Sequence, residues 1–156
     1  MDLDSFDRRL LNLVQLDASQ TTERLSEQVP LSSSAIQRRL KRLRERGYIV
    51  HDVSVCDPKK LGPLIFFIVT LQVERERPEL LTELKRWLNA EEHIQQVFYV
   101  TGEADFILIV TAPDTETYDA LMSRLVFANA NVRRFTTNVA LGVVKRGLNI
   151  PLLEAH

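Results

Sequence analysis

Three apolar stripes at helical spacing before residue 50, followed by the order strand-helix-strand twice over, predict an α+β chain of two domains. The second half has the element order of a ferredoxin-like βαββαβ unit, an antiparallel sheet with both helices on one face. A dense run of cations on the third helix marks the first half as a helix-turn-helix, winged-helix-like unit. The boundaries this implies are 1–50 for the helical domain, 51–63 for an extended linker and 64–156 for the second domain.

The first helix follows from Leu3, Phe6, Leu10, Leu13 and Val14, with Asp2 or Asp4 to cap its start and an end near Asp17. A shorter second helix is predicted over 22–29, with Leu25 and Val29 turned inward and Pro30 as the stop. Three candidate caps, Ser32, Ser33 and Ser34, open the third helix, whose buried stripe is Ile36, Leu40 and Leu43. At about 100° per residue, Ser34, Gln37, Arg38, Lys41, Arg42 and Glu45 fall on the opposite side, with Arg39, Arg44 and Arg46 flanking. Gly47 is placed to end this helix in the left-handed conformation.

Charge is concentrated there. Six cations and one acid between Arg38 and Arg46 give a local net charge of +5, although the whole chain carries only −1. A short helix, a tight turn and a third helix with a polar, then cationic, outer face is the arrangement that enters a DNA major groove. Gln can pair two-fold with adenine and Arg with guanine, while neighbouring cations meet phosphates. The candidate DNA-contacting residues are Ser33, Ser34, Gln37, Arg38, Lys41 and Arg42.

Residues 48–55 alternate and read as a strand or extended linker, followed by turn signals at Asp57-Pro58 and Gly62-Pro63. Strands are then expected over 64–74, 94–101, 105–112 and 132–145. Leu80, Leu81, Leu84, Trp87 and Leu88 mark one intervening helix; Tyr118, Leu121, Met122, Leu125 and Val126 mark the other. The first and third strands are apolar on both faces, yet the helices cover one side only. A second copy of the sheet would cover the other, so a homodimer is expected. The hairpin 100–106 combines Gly102, which frees the backbone, with Asp105, three residues on. A free amino acid needs an acceptor for its ammonium and N–H donors for its carboxylate, and such a turn offers both. A glycine and an aspartate in a hairpin are more often ordinary turn chemistry.

Composition narrows the classes. The 156 residues are 45% hydrophobic and 26% charged, which is globular, and five Gly with six Pro exclude collagen-like or low-complexity character. The apolar run 64–69 is broken by Thr70, far short of the roughly 18 residues of a membrane span. The start Met1-Asp2-Leu3-Asp4 is acidic with no cleavable apolar segment, and the single Cys56 suits a reducing cytoplasm. Cys56 and the scattered His51, His93 and His156 lack metal-ligand spacing, so no metal and no cofactor is expected.

Taken together, these stretches resemble the Lrp/AsnC family of leucine- and asparagine-responsive transcription regulators. The resemblance rests on residues 3–11, Leu31-Ser32, the block 38–43, Gly47-Tyr48-Ile49, the hairpin 100–106, Thr137, Val144-Lys145 and the ending 148–152, in the right order over nearly the whole chain. It implies a regulator that binds imperfectly palindromic DNA. It also implies dimers that assemble into tetramers or octamers, and a small effector, usually an amino acid, held in the second domain. Carried over by position, the effector residues are Gly102 and Asp105, with Tyr99, Thr101 and Glu103 on the same loop and Thr136 and Thr137 on the last strand. The chain departs from the family at Pro30, where glycine is usual in the turn, and at 32–34, which lack a frequent proline. Two other classes compete. A sirohaem-decarboxylase-like enzyme on the same scaffold would need clustered basic and histidine side chains. An interaction module without DNA binding would not need the outward cations.

Overall fold

The computed structural model describes residues 3–153. The chain divides into two compact units at Val55/Cys56 and Val144/Lys145, and the segment from Lys145 onward joins the N-terminal unit. The sequence reading gave 145–156 to the second domain; the described part of that segment packs instead with the helices, and 154–156 lie outside the described residues.

The helical unit contains α1 (Ser5–Leu16), α2 (Thr22–Ser26) and α3 (Ser33–Glu45). Each opens on a side-chain cap that accepts from a first-turn N–H: Asp4 from Asp7, Thr21 from Arg24 and Ser32 from Ala35. Asp2, the other candidate cap, lies outside the described residues. Helix α2 stops three residues before Val29, in a turn where the Gln28 and Val29 N–H groups both reach the Leu25 carbonyl, and Pro30 follows it. Gly47, at φ +74°, ends α3: its N–H donates to Arg44 O and the Tyr48 N–H to Leu43 O, which satisfies two of the last carbonyls. Leu10, Leu11, Leu25, Val29, Ile36, Leu40 and Leu43 form the core, with Ile49 and Leu152 packed against it. Residues 50–56 have no regular structure, so the strand expected over 48–55 is absent.

The C-terminal strap is held along α1 by two amide side chains one turn apart. Asn12 donates to Leu152 O and accepts from Leu152 N, both at 2.9 Å. Gln15 donates to Ile150 O at 3.0 Å and accepts from Ile150 N at 2.7 Å.

The second unit is β1 (Ile65–Val73), α4 (Pro78–Ala90), β2 (Ile94–Tyr99), β3 (Phe106–Ala112), α5 (Thr115–Ala128) and β4 (Val132–Val139). Its sheet is antiparallel in the order β2-β3-β1-β4. Alternate residues Phe67, Val69 and Leu71 of β1 and Phe106, Leu108 and Val110 of β3 share one core with Leu84 and Leu88 of α4 and Tyr118, Leu121, Met122 and Leu125 of α5. Both helices therefore lie on one face. Val126, expected in that stripe, is exposed. Strand β4 ends six residues before Lys145, because its last pairing, Ala140 N–H to Phe66 O, reaches the start of β1 and nothing remains to pair with.

Candidate nucleic-acid and effector surfaces

The inward and outward sides of α3 are set by Ile36, Leu40 and Leu43, which are buried. Ser34, Gln37, Arg38 and Lys41 are exposed, and Ser33 is half-buried in the first turn. Ser34 Oγ lies 3.2 Å from the capping Ser32 Oγ. Lys41 makes only a long i,i+4 contact of 3.8 Å with Glu45, and Arg38 has no carboxylate partner among the described residues.

Arg42 departs from the expected outward placement. Its Nη2 donates to both carboxylate oxygens of Asp7, at 2.8 and 2.9 Å. Arg39 Nη1 donates to Asp7 at 2.8 Å and to Asp4 at 2.6 Å. Asp7 is 1% exposed, so a buried carboxylate on α1 is neutralised by two guanidinium groups one turn apart on α3. Arg39 also lies over the Phe6 ring, 5.6 Å from its centroid. At Asp4, burial pushes the carboxyl pKa up, but the Asp7 N–H and the Arg39 guanidinium outweigh it and hold it below the ordinary range. Its share of the clamp is thus present above about pH 4 and is lost as pH falls through the depressed value. Arg44 pairs with Asp52 at 3.1 Å. Of the cations from Arg38 to Arg46, then, Arg39, Arg42 and Arg44 hold the unit together, while Arg38 and Lys41 face outward.

In the second unit, the β2–β3 hairpin is tied to the end of β1. The Asp105 N–H donates to Leu71 O at 2.8 Å, the Val73 N–H donates to Asp105 Oδ2 at 2.7 Å, and Gln72 Nε2 donates to Glu103 O at 2.6 Å. One Asp105 oxygen is thereby committed to the fold, and Oδ1 has no hydrogen-bond partner among the described residues. Gly102 adopts φ +117°, a region L side chains rarely enter, although a Cβ there would meet nothing within 4 Å. The glycine serves backbone conformation, not close packing. A cleft of about 360 Å³ opens beside it, lined by Glu76, Tyr99, Val100, Thr101, Gly102 and Asp105. Tyr99, Thr101, Gly102 and Asp105 thus come together as a cluster. Glu103 is exposed on the turn but does not line the cleft.

Thr136 and Thr137 are not part of that cluster. Thr137 pairs with Val69, faces the helices, and its hydroxyl is engaged by the Tyr118 hydroxyl. Burial pushes the Tyr118 pKa up and the Thr137 hydrogen bond opposes it. Thr136 pairs with Thr70 on the opposite face. Alternation along β4 puts consecutive residues on opposite sides, and β1 and β3 separate both from β2. Two lining residues were not among the candidates: Val100, within the hairpin itself, and Glu76, which lies in the irregular segment after β1, where no periodicity singles it out. Among the described residues no group of three or more His, Cys, Asp or Glu is placed to hold a metal ion. Among the described residues no helix is long and apolar enough to cross a membrane.

Both units match domains of known proteins. Residues 3–44 match the AsnC-type helix-turn-helix domain, and residues 67–150 match the Lrp/AsnC ligand binding domain. An HTH-type transcriptional regulator of Sinorhizobium fredii is 41% identical over 152 residues, spanning 97% of this chain and 90% of the relative. The crystal structure of an AsnC family transcriptional regulator from Agrobacterium tumefaciens superimposes with a TM-score of 0.86 at 25% identity, covering 97% of each chain. A transcriptional regulator of Neisseria meningitidis, solved as a complex with L-Met, shares the fold at a TM-score of 0.87 and 21% identity, covering 96% of this chain and 97% of the other.

Proposed function

The chain belongs to the Lrp/AsnC family of transcription regulators, and from that premise we propose that it binds duplex DNA through the outer face of α3 and couples that binding to an amino-acid effector held at the β2–β3 hairpin. The observation that carries the reading is the division of labour on α3. Arg39 and Arg42 fix the helix from beneath, while Ser34, Gln37, Arg38 and Lys41 stand exposed on the groove-facing side. Gln37 and Arg38 read base edges and Lys41 meets phosphate.

The effector's ammonium is taken by Asp105 Oδ1 and its carboxylate by N–H groups of the turn at Thr101 and Gly102. A second copy covers the sheet face opposite the helices, where Ile68, Ile107 and Ile109 are half-buried and Phe98 is 50% exposed. A dimer presents two copies of α3 to the half-sites of an imperfect palindrome, and dimers assemble further into tetramers or octamers. The protein acts in the cytoplasm, by binding and not by catalysis. An effector that favours one assembly shifts DNA affinity by linkage.

The test is DNA affinity as a function of salt, on duplexes selected from a random pool by the purified protein. Arg38→Ala and Gln37→Ala should each weaken binding to the selected sequence by about tenfold, with assembly unchanged. Lys41→Ala should lower the slope of log affinity against log salt by about one. Wild-type affinity and slope in all three variants would overturn the assigned face.

A further inference from the structure

A second cleft, of about 420 Å³, lies between the C-terminal half of α4 and strand β2. Val97 and Phe106 form its floor, and Lys85, Arg86 and Asn89 its polar rim. Tyr99 lines this cleft and the hairpin cleft as well. The charge changes sign across that one ring: Glu76 and Asp105 lie on the hairpin side, Lys85 and Arg86 on the other. Neither Lys85 nor Arg86 makes an ion pair with a carboxylate among the described residues. Lys85 Nζ rests against the Tyr99 ring, 4.4 Å from its centroid.

Resting on the reading that the hairpin takes the ammonium and carboxylate of an α-amino acid, we propose that this second cleft receives the effector's side chain and selects one that ends in a carboxylate. The effector class is then the acidic amino acids. The methylene stem lies along Tyr99 and Val97. The terminal carboxylate draws Lys85 off the ring and is held by Lys85 and Arg86, with the Asn89 amide as a further donor. An apolar side chain in the same place would take water from two cations and return no partner, which disfavours it. A neutral amide would be held less well than a charge-assisted bond allows.

The test is calorimetric titration of the full-length protein with L-glutamate, L-norleucine and glutarate, repeated on the Lys85→Met/Arg86→Met double variant. Both side chains are exposed and neither is in an ion pair, so the substitutions leave the core intact. The wild type should bind glutamate about tenfold or more tighter than norleucine. The double variant should lose that preference, binding glutamate about tenfold more weakly than the wild type does and norleucine no more weakly. Norleucine binding without a glutamate preference, or a preference that survives in the double variant, overturns the proposal and leaves the hairpin reading standing. Glutarate binding as tightly as glutamate, and lost in the double variant, overturns the hairpin reading and supports the cationic cleft as an anion site. Absence of binding by both acids overturns the proposal.

Discussion

Asp7 is a carboxylate set in the middle of an apolar stripe, between Phe6 and Leu10 of α1. Such a charge is tolerable only when paired, and here three hydrogen bonds come to it from Arg39 and Arg42. Removing the acid would leave two guanidinium groups crowded together at the α1–α3 contact. We therefore expect Asp7→Ala to destabilise the protein by about 3 kcal/mol, read as a lower urea midpoint, whereas Arg38→Ala should change stability by no more than about 0.5 kcal/mol and leave that midpoint nearly in place. Equal midpoints for the two variants would contradict the separation of clamp from groove face. The same residues show where sequence reasoning stops. The helical period placed Ile36, Leu40 and Leu43 inward correctly, because it reports the direction of each Cβ. It misjudged Arg42 because a long, flexible side chain can curl around the helix to a partner 35 residues away. An acid in the stripe of the first helix was the available clue.

At the scale of elements, hydrogen bonding across the sheet decided what local pattern could not. The last strand was expected to reach Lys145, but β4 runs only as far as β1 offers partners. Thr136 and Thr137 illustrate the same limit: neighbours in sequence, they face opposite sides of the sheet, and a motif carried over by position does not show which side meets a site. The hairpin was more legible, because a glycine at positive φ and an aspartate that closes the turn are local chemistry. The C-terminal strap was invisible, since Asn12 and Gln15 are ordinary helix-surface residues until a backbone lies beside them. Each of its hydrogen bonds contributes about 1 kcal/mol or less at an exposed site. Asn12→Ala with Gln15→Ala should lower stability by about 2 kcal/mol, and ending the chain after Val144 by more, since Leu152 leaves the core as well. Thermal melts followed by helical circular dichroism would check both; an unchanged melting temperature would show the strap to be ornamental.

For the whole molecule, the proposed assembly rests on the open face of the sheet. Ile109 sits near its centre, opposite Ile68 on β1 and Gln96 on β2. Placing a charge there should break a copy-on-copy contact without entering the core shared with the helices. Ile109→Glu should therefore give monomers by sedimentation equilibrium where the wild type gives dimers or larger species, and DNA affinity should fall by about tenfold or more as paired half-site binding is lost. Dimers that persist in the variant would move the interface elsewhere. This expectation was readable in the sequence, because strands that fail to alternate to polar residues on a half-covered sheet report an absent neighbour. The strap carries a different consequence, one of timing. The α+β unit is an insertion in the helical unit, not an appendage to it, since the chain leaves the helices at Val55 and returns at Lys145. A ribosome makes the three helices first, yet the residues that lie along α1 emerge only after the whole α+β unit. The first domain begun is thus completed after the second, and it gains its strap contacts only once the α+β unit has been made.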